Sequence, residues 1–173
     1  MESVVVILKK VVLSALCMVF LMYTGVAQAV EKKGSGIYKV PPYKIAKYIK
    51  KTAGERRAIV LYASWCPACV QKMPGIIDLE NAKAGSIIAI SIEENYADFA
   101  RYIRRLGTVP FKAIVNDGSE SKLAQKLRQF GVRPWNSIPQ IILMDEKNKV
   151  VEQGNFSVEK IANFLFSNES GEP

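Results

Sequence analysis

Cys66 and Cys69 stand two residues apart, with Pro67 and Ala68 between them and Ala63-Ser64-Trp65 just before. Thiols at this spacing can close a disulfide across one helical turn. The apolar run Ala58 to Ala63 ends at the pair, and an amphipathic segment continues from Val70. The cysteines therefore fall where a strand gives way to a helix. The first sulfur then sits at a helix N-terminus, where unbonded N–H groups and the macrodipole favour a thiolate. The thiolate is the attacking form, so the pattern reads as a thiol–disulfide exchange site with Cys66 and Cys69 catalytic.

Zinc is the competing chemistry. A structural zinc site needs four ligands, usually Cys or His. The chain has no histidine, and its third cysteine, Cys17, lies in an N-terminal apolar segment. Only a Cys₄ site shared between two chains would serve, so no metal and no bound cofactor are expected. A purely structural disulfide is disfavoured as well, because so short a loop removes little unfolded-chain entropy.

Several elements must position these thiols. Glu31 to Gly36 is a polar linker, and Pro41-Pro42 opens a helix with an apolar stripe through Ile45, Ala46 and Ile49. Ala58 to Ala63 reads as a buried central strand, followed by the cysteine helix from Pro67 to about Lys83. Pro67 suits a first helical turn, where its missing N–H is no loss, and Pro74 should kink the helix. Ser86 to Ile92 and Phe111 to Val115 read as further strands. Helical stripes follow each of them, through Phe99, Tyr102 and Ile103 and through Leu123, Leu127 and Phe130. Gln140 to Met144 and Lys149 to Glu152 form a hairpin, and Ser157 caps a last helix. This order predicts an α/β fold, a mixed central sheet flanked by helices.

The N-terminus bears on compartment. Lys9 and Lys10 precede an uncharged run from Val11 to Tyr23, and Ala27-Gln28-Ala29 follows. A basic patch, an apolar core and an A-x-A sequence are the pattern of a secretory signal peptide. Residues 1–29 are therefore expected to direct export; an uncleaved anchor through residues 11–27, facing the periplasm, is the alternative. Residues 30–57 are expected to be linker and basic helix, 58–167 the sheet domain, and 168–173 a polar tail. The whole chain carries a net charge of +8, with Lys44, Lys47, Lys50 and Lys51 in one helical stretch. That stretch is either a solvated face or a docking surface for anionic lipid or an acidic partner. The aromatics are not interleaved with the basic residues, so a nucleic-acid partner is not expected.

At this point the chain resembles the thioredoxin superfamily over nearly all of residues 30–173. Tyr62-Ala63-Ser64-Trp65-Cys66-Pro67-Ala68-Cys69 is similar to that family's active site, Pro74 to its helix kink, and Ile138-Pro139 to its cis-proline loop. The longer span from Cys69 to Pro139 implies one inserted strand–helix unit, Phe111 to Phe130, as in exported TlpA/ResA-type proteins. The resemblance implies reduction of client disulfides outside the cytoplasm, with electrons from a membrane thiol–disulfide partner. It also implies that a cis Pro139 sets the Ile138 backbone against the sulfurs. Val60 replaces the family's buried aspartate, and Lys72 an acid of the cytochrome-maturation branch.

Other functions remain in view. One is a Dsb-type oxidase or isomerase; another is a non-enzymatic binding module or metallochaperone on the same fold. Trp65 is expected either to shield the sulfurs or to fill core. Trp135, in a three-residue insertion around Pro134-Trp135-Asn136, is expected within reach of the sulfurs as part of a substrate loop. The Ala68 and Cys69 amides should both point at Cys66. With the Lys72 ammonium, these donors would make the protein more oxidising than thioredoxin, by roughly 30–60 mV for one charge-assisted hydrogen bond.

Overall fold

The computed structural model describes residues 36–167, and the expected signal or anchor segment and the C-terminal tail lie outside them. Six strands form one sheet: β1 (Ile37–Val40), β2 (Arg57–Tyr62), β3 (Ile87–Ser91), β4 (Ala113–Asn116), β5 (Gln140–Met144) and β6 (Val150–Gly154). Their spatial order is β1-β4-β3-β2-β5-β6. The first four are mutually parallel, β5 runs antiparallel to β2, and β6 antiparallel to β5. Five helices connect them: α1 (Pro42–Lys51), α2 (Pro67–Ala82), α3 (Tyr96–Leu106), α4 (Glu120–Leu127) and α5 (Val158–Phe166). Among the described residues no helix is long and apolar enough to cross a membrane.

Strand alternation divides the core in two. Ala58, Val60 and Tyr62 of β2 face one side with Ile141 and Leu143 of β5, while Ile59, Leu61, Ile142 and Met144 face the other. The first side is covered by α2, α3 and α5 through Met73, Phe99, Ile103 and Ile161. The second is covered by α1 and α4 through Ile45, Ile49, Leu123 and Leu127. Both faces of the central strands are therefore apolar, and each fully buried Ile or Leu stabilises the fold by about 1.5–3 kcal/mol.

Local chemistry fixes the helix starts. Asn95 accepts from the Ala97 and Asp98 amides, Ser119 from Lys122 and Ser157 from Lys160. The helix carrying the cysteines runs through Pro74, whose ring nitrogen cannot donate to the Val70 carbonyl. At the next residue, a Cβ on Gly75 would lie 2.7 Å from Val158 Cγ2, so the missing side chain is what lets α5 press against α2.

The mixed sheet flanked by helices is the expected architecture. Residues Phe111 to Phe130, expected as an inserted strand–helix unit, contain β4 and α4, with β4 between β3 and β1. That strand begins at Ala113 rather than Phe111, because its pairing with Ile37 starts there; Phe111 packs into the core from the loop. One further feature corrects the sequence reading. Ile37–Val40, given no element, is a sheet strand, so the sheet starts before residue 58. Four residues with an exposed centre are too few to show strand periodicity.

Glu80 clasps the far end of the sheet. Its two carboxylate oxygens accept from the Gly85 and Ile87 amides at 2.7 and 2.8 Å, holding the α2–β3 turn. Burial raises its pKa above the ordinary carboxylate value, and these amide bonds only partly oppose that shift. A raised folded pKa means stability that is complete below the unfolded value and is lost as pH rises through the folded one. The Tm advantage of wild type over Glu80→Gln should therefore shrink between pH 4 and pH 7. Parallel thermal melts check this, and an advantage that grows with pH would contradict it.

Candidate active site

Strand β2 delivers the site. It is buried along its whole length and ends at Tyr62; Ala63 continues inward, and the Cys66 amide donates back to the Ala63 carbonyl at 3.3 Å. This turn leaves Cys66 as the N-cap of α2, with extended backbone (φ −90°, ψ 108°). Its Sγ accepts from the Cys69 amide at 3.2 Å, so the sulfur stands where a capping oxygen would. Pro67 is the first residue of the helix and is exposed, as is Ala68.

The two sulfurs are joined as a disulfide. Cys66 is 5% exposed and Cys69 2%, so the former is the more accessible of two shielded sulfurs. The Ile138–Pro139 peptide is cis. The Ile138 carbonyl oxygen lies 3.6 Å from Cys66 Sγ, a contact to which the reduced thiol can donate. Cys66 and Cys69 from one stretch of sequence and Ile138 from another thus meet at one point, and Pro139 is buried.

Three further residues have distinct surroundings. Trp65 is 64% exposed; it is not core filler, and its ring stands at the surface beside Cys66. Trp135 is half-buried against the second core, the one under α1 and α4, whereas both sulfurs belong to the first. It lines a groove with Pro134, Glu120, Ser121, Ala124 and Arg128. Lys72 donates its ammonium to the Phe156 carbonyl. Burial lowers its pKa.

Of the two amides expected at Cys66, only that of Cys69 donates to the sulfur. The extra Ala68 donor is not engaged, and the Lys72 cation is occupied by Phe156. In the disulfide form the Cys69 amide is thus the backbone donor to Cys66 Sγ.

Sequence reasoning missed Glu93. It is 6% exposed, and its Oε2 accepts from both the amide and the hydroxyl of Ser64, at 2.8 and 2.6 Å. Nearby, the Tyr62 and Tyr102 hydroxyls are buried without partners, their rings 6.5 Å apart. Burial raises both phenols' pKa values; at Tyr62 the neighbouring Tyr102 and Glu93 add to the shift. The available signal was positional. Tyr62 pairs with Ser91 in parallel register, so residues two beyond each, Ser64 and Glu93, emerge side by side.

No protein-family model and no curated protein matches the chain. Solved structures do. A thiol:disulfide interchange protein of the thioredoxin family from Chlorobium tepidum superposes with a TM-score of 0.55 at 17% identity, covering 66% of this chain and 80% of its own. A thiol:disulfide interchange protein from Bacteroides sp. gives 0.52 at 16% identity, over 70% of this chain and 80% of its own. The exposed lipoprotein thioredoxin of Streptococcus pneumoniae gives 0.50 at 21% identity, over 68% and 87%. At these identities the likeness defines the fold. The chain has the thioredoxin fold, with a Cys-x-x-Cys pair at the start of a helix.

Proposed function

We propose that this protein is an exported thiol–disulfide oxidoreductase that reduces disulfides of client proteins through Cys66 and Cys69. The observation that carries the reading is Cys66 Sγ at the N-cap of α2, receiving the Cys69 amide and facing the Ile138 carbonyl.

In the reduced protein the Cys66 thiolate attacks one sulfur of a client disulfide. That S–S bond breaks, and the other client sulfur leaves as a thiolate that takes up a proton. Cys69 then loses its proton and attacks Cys66 Sγ, forming the Cys66–Cys69 bond and releasing the second client sulfur. Two electrons pass from the protein to the client, and a membrane thiol–disulfide partner restores the dithiol. The Cys69 amide stabilises the Cys66 thiolate whenever it forms. The Ile138 backbone borders the sulfurs, where an extended client segment can pair with it, and exposed Trp65 offers an apolar surface beside the scissile bond.

The reductase direction is favoured over a Dsb-type oxidase because a single backbone amide, that of Cys69, donates to Cys66 Sγ in the disulfide. Export rests on the N-terminal sequence pattern, and a membrane partner on the resemblance to exported TlpA/ResA-type proteins. Equilibration with glutathione tests the direction. A potential near thioredoxin's, about −270 mV, agrees with it, and one near about −120 mV, that of a strong oxidant, overturns it.

A further inference from the structure

Two carboxylates are buried among the described residues, Glu80 and Glu93. Glu80 is bound to amides at the start of β3, the end of the sheet remote from the cysteines. Glu93 lies at the opposite end, where β2 runs into the active-site turn. Val60, six residues before Cys66, is apolar and buried on the same face as both sulfurs. No carboxylate stands at that strand position, and Glu93 is the buried acid at this edge. One of its oxygens receives two donors from Ser64, a residue two places from the nucleophile. Its own amide donates to Ser91 Oγ at 3.1 Å, fixing the backbone that presents it.

We propose that Glu93 is a positioning residue for Cys66: it clamps Ser64 and thereby the turn that places Cys66 on the helix start, and its charge raises the pH at which Cys66 becomes a thiolate. The inference rests on Cys66 being the nucleophile. A nearby negative charge disfavours a second one, so the carboxylate opposes the thiolate that the helix start and the Cys69 amide favour. The titratable and charged groups around it are few. Tyr62 of β2 interacts with it and Tyr102 of α3 lies beside Tyr62, both phenols raised by burial and so neutral where a thiol titrates. Arg105 of α3 interacts with Tyr102, exposed Glu94 follows in the chain, and Lys72 of α2 is held by Phe156.

The test is the pH dependence of Cys66 alkylation by iodoacetamide in the reduced full-length protein, followed by mass spectrometry. Glu93→Gln keeps an oxygen that can accept from Ser64 and removes the charge. Its midpoint should fall by about half a pH unit or more, making alkylation about threefold faster on the acid side. Glu93→Asp keeps the charge and should retain the wild-type midpoint. An unchanged midpoint in Glu93→Gln, or an equal shift in Glu93→Asp, would overturn the proposal. Alkylation needs no client, so the two readings fail separately. A wild type that reduces no protein disulfide overturns the proposed function, whereas an active wild type with an unmoved Glu93→Gln midpoint overturns this inference alone.

Discussion

Disulfide exchange falls to the uncatalysed background in Cys66→Ser, whereas Cys69→Ser still attacks once and accumulates a mixed disulfide with its client. The asymmetry follows from the helix start. Cys66 Sγ receives the Cys69 amide and lies toward exposed Trp65, Pro67 and Ala68; Cys69 is enclosed one turn inside α2. Without Cys66 the one thiol left among the described residues is the more enclosed Cys69, which is poorly placed to form the first bond. Without Cys69 the first bond forms, but no second thiol among the described residues displaces the client, so the covalent pair persists. Non-reducing electrophoresis of each variant with an oxidised, disulfide-bonded protein reads this directly. Mixed disulfides through Cys69 in Cys66→Ser would reverse the assigned roles.

The largest stability effect is expected at Phe99. Its side chain is fully buried, its ring 6.1 Å from that of Tyr62, in the core that also holds both cysteines. Phe99→Ala should cost about 3–5 kcal/mol, from lost burial and the cavity left behind. Against a typical domain stability of about 5–15 kcal/mol, that is a large fraction. Urea unfolding should show a much lower midpoint with little change in slope, while the exposed Val151→Ala should stay within about 0.5 kcal/mol of wild type. A near-normal midpoint in Phe99→Ala would mean that this core tolerates the void.

Much of the fold was legible because long apolar runs and helical stripes carry their own periodicity. The runs around Ile59, Ile88 and Ile142 became central strands, and Phe99, Leu123 and Ile161 marked three helix faces. The strand Ile37–Val40 was not legible, since its pairing with β4 is a tertiary event across more than seventy residues. In the site, adjacency along the chain gave Cys66 as the cap of its own helix. Ile138-Pro139 was found through a family resemblance rather than from its own spacing. The packing of Trp135 against the second core was not legible, because nearness to Pro139 in sequence does not say which face of the sheet a side chain meets. Glu93 was invisible because its role depends on two parallel strands ending together.

The most direct test is competitive alkylation of the reduced protein at neutral pH, with modification at each cysteine read by mass spectrometry. A thiolate-favouring helix start and greater accessibility predict that Cys66 is labelled much faster than Cys69. Equal rates at the two sulfurs, or faster labelling of Cys69, would contradict the account.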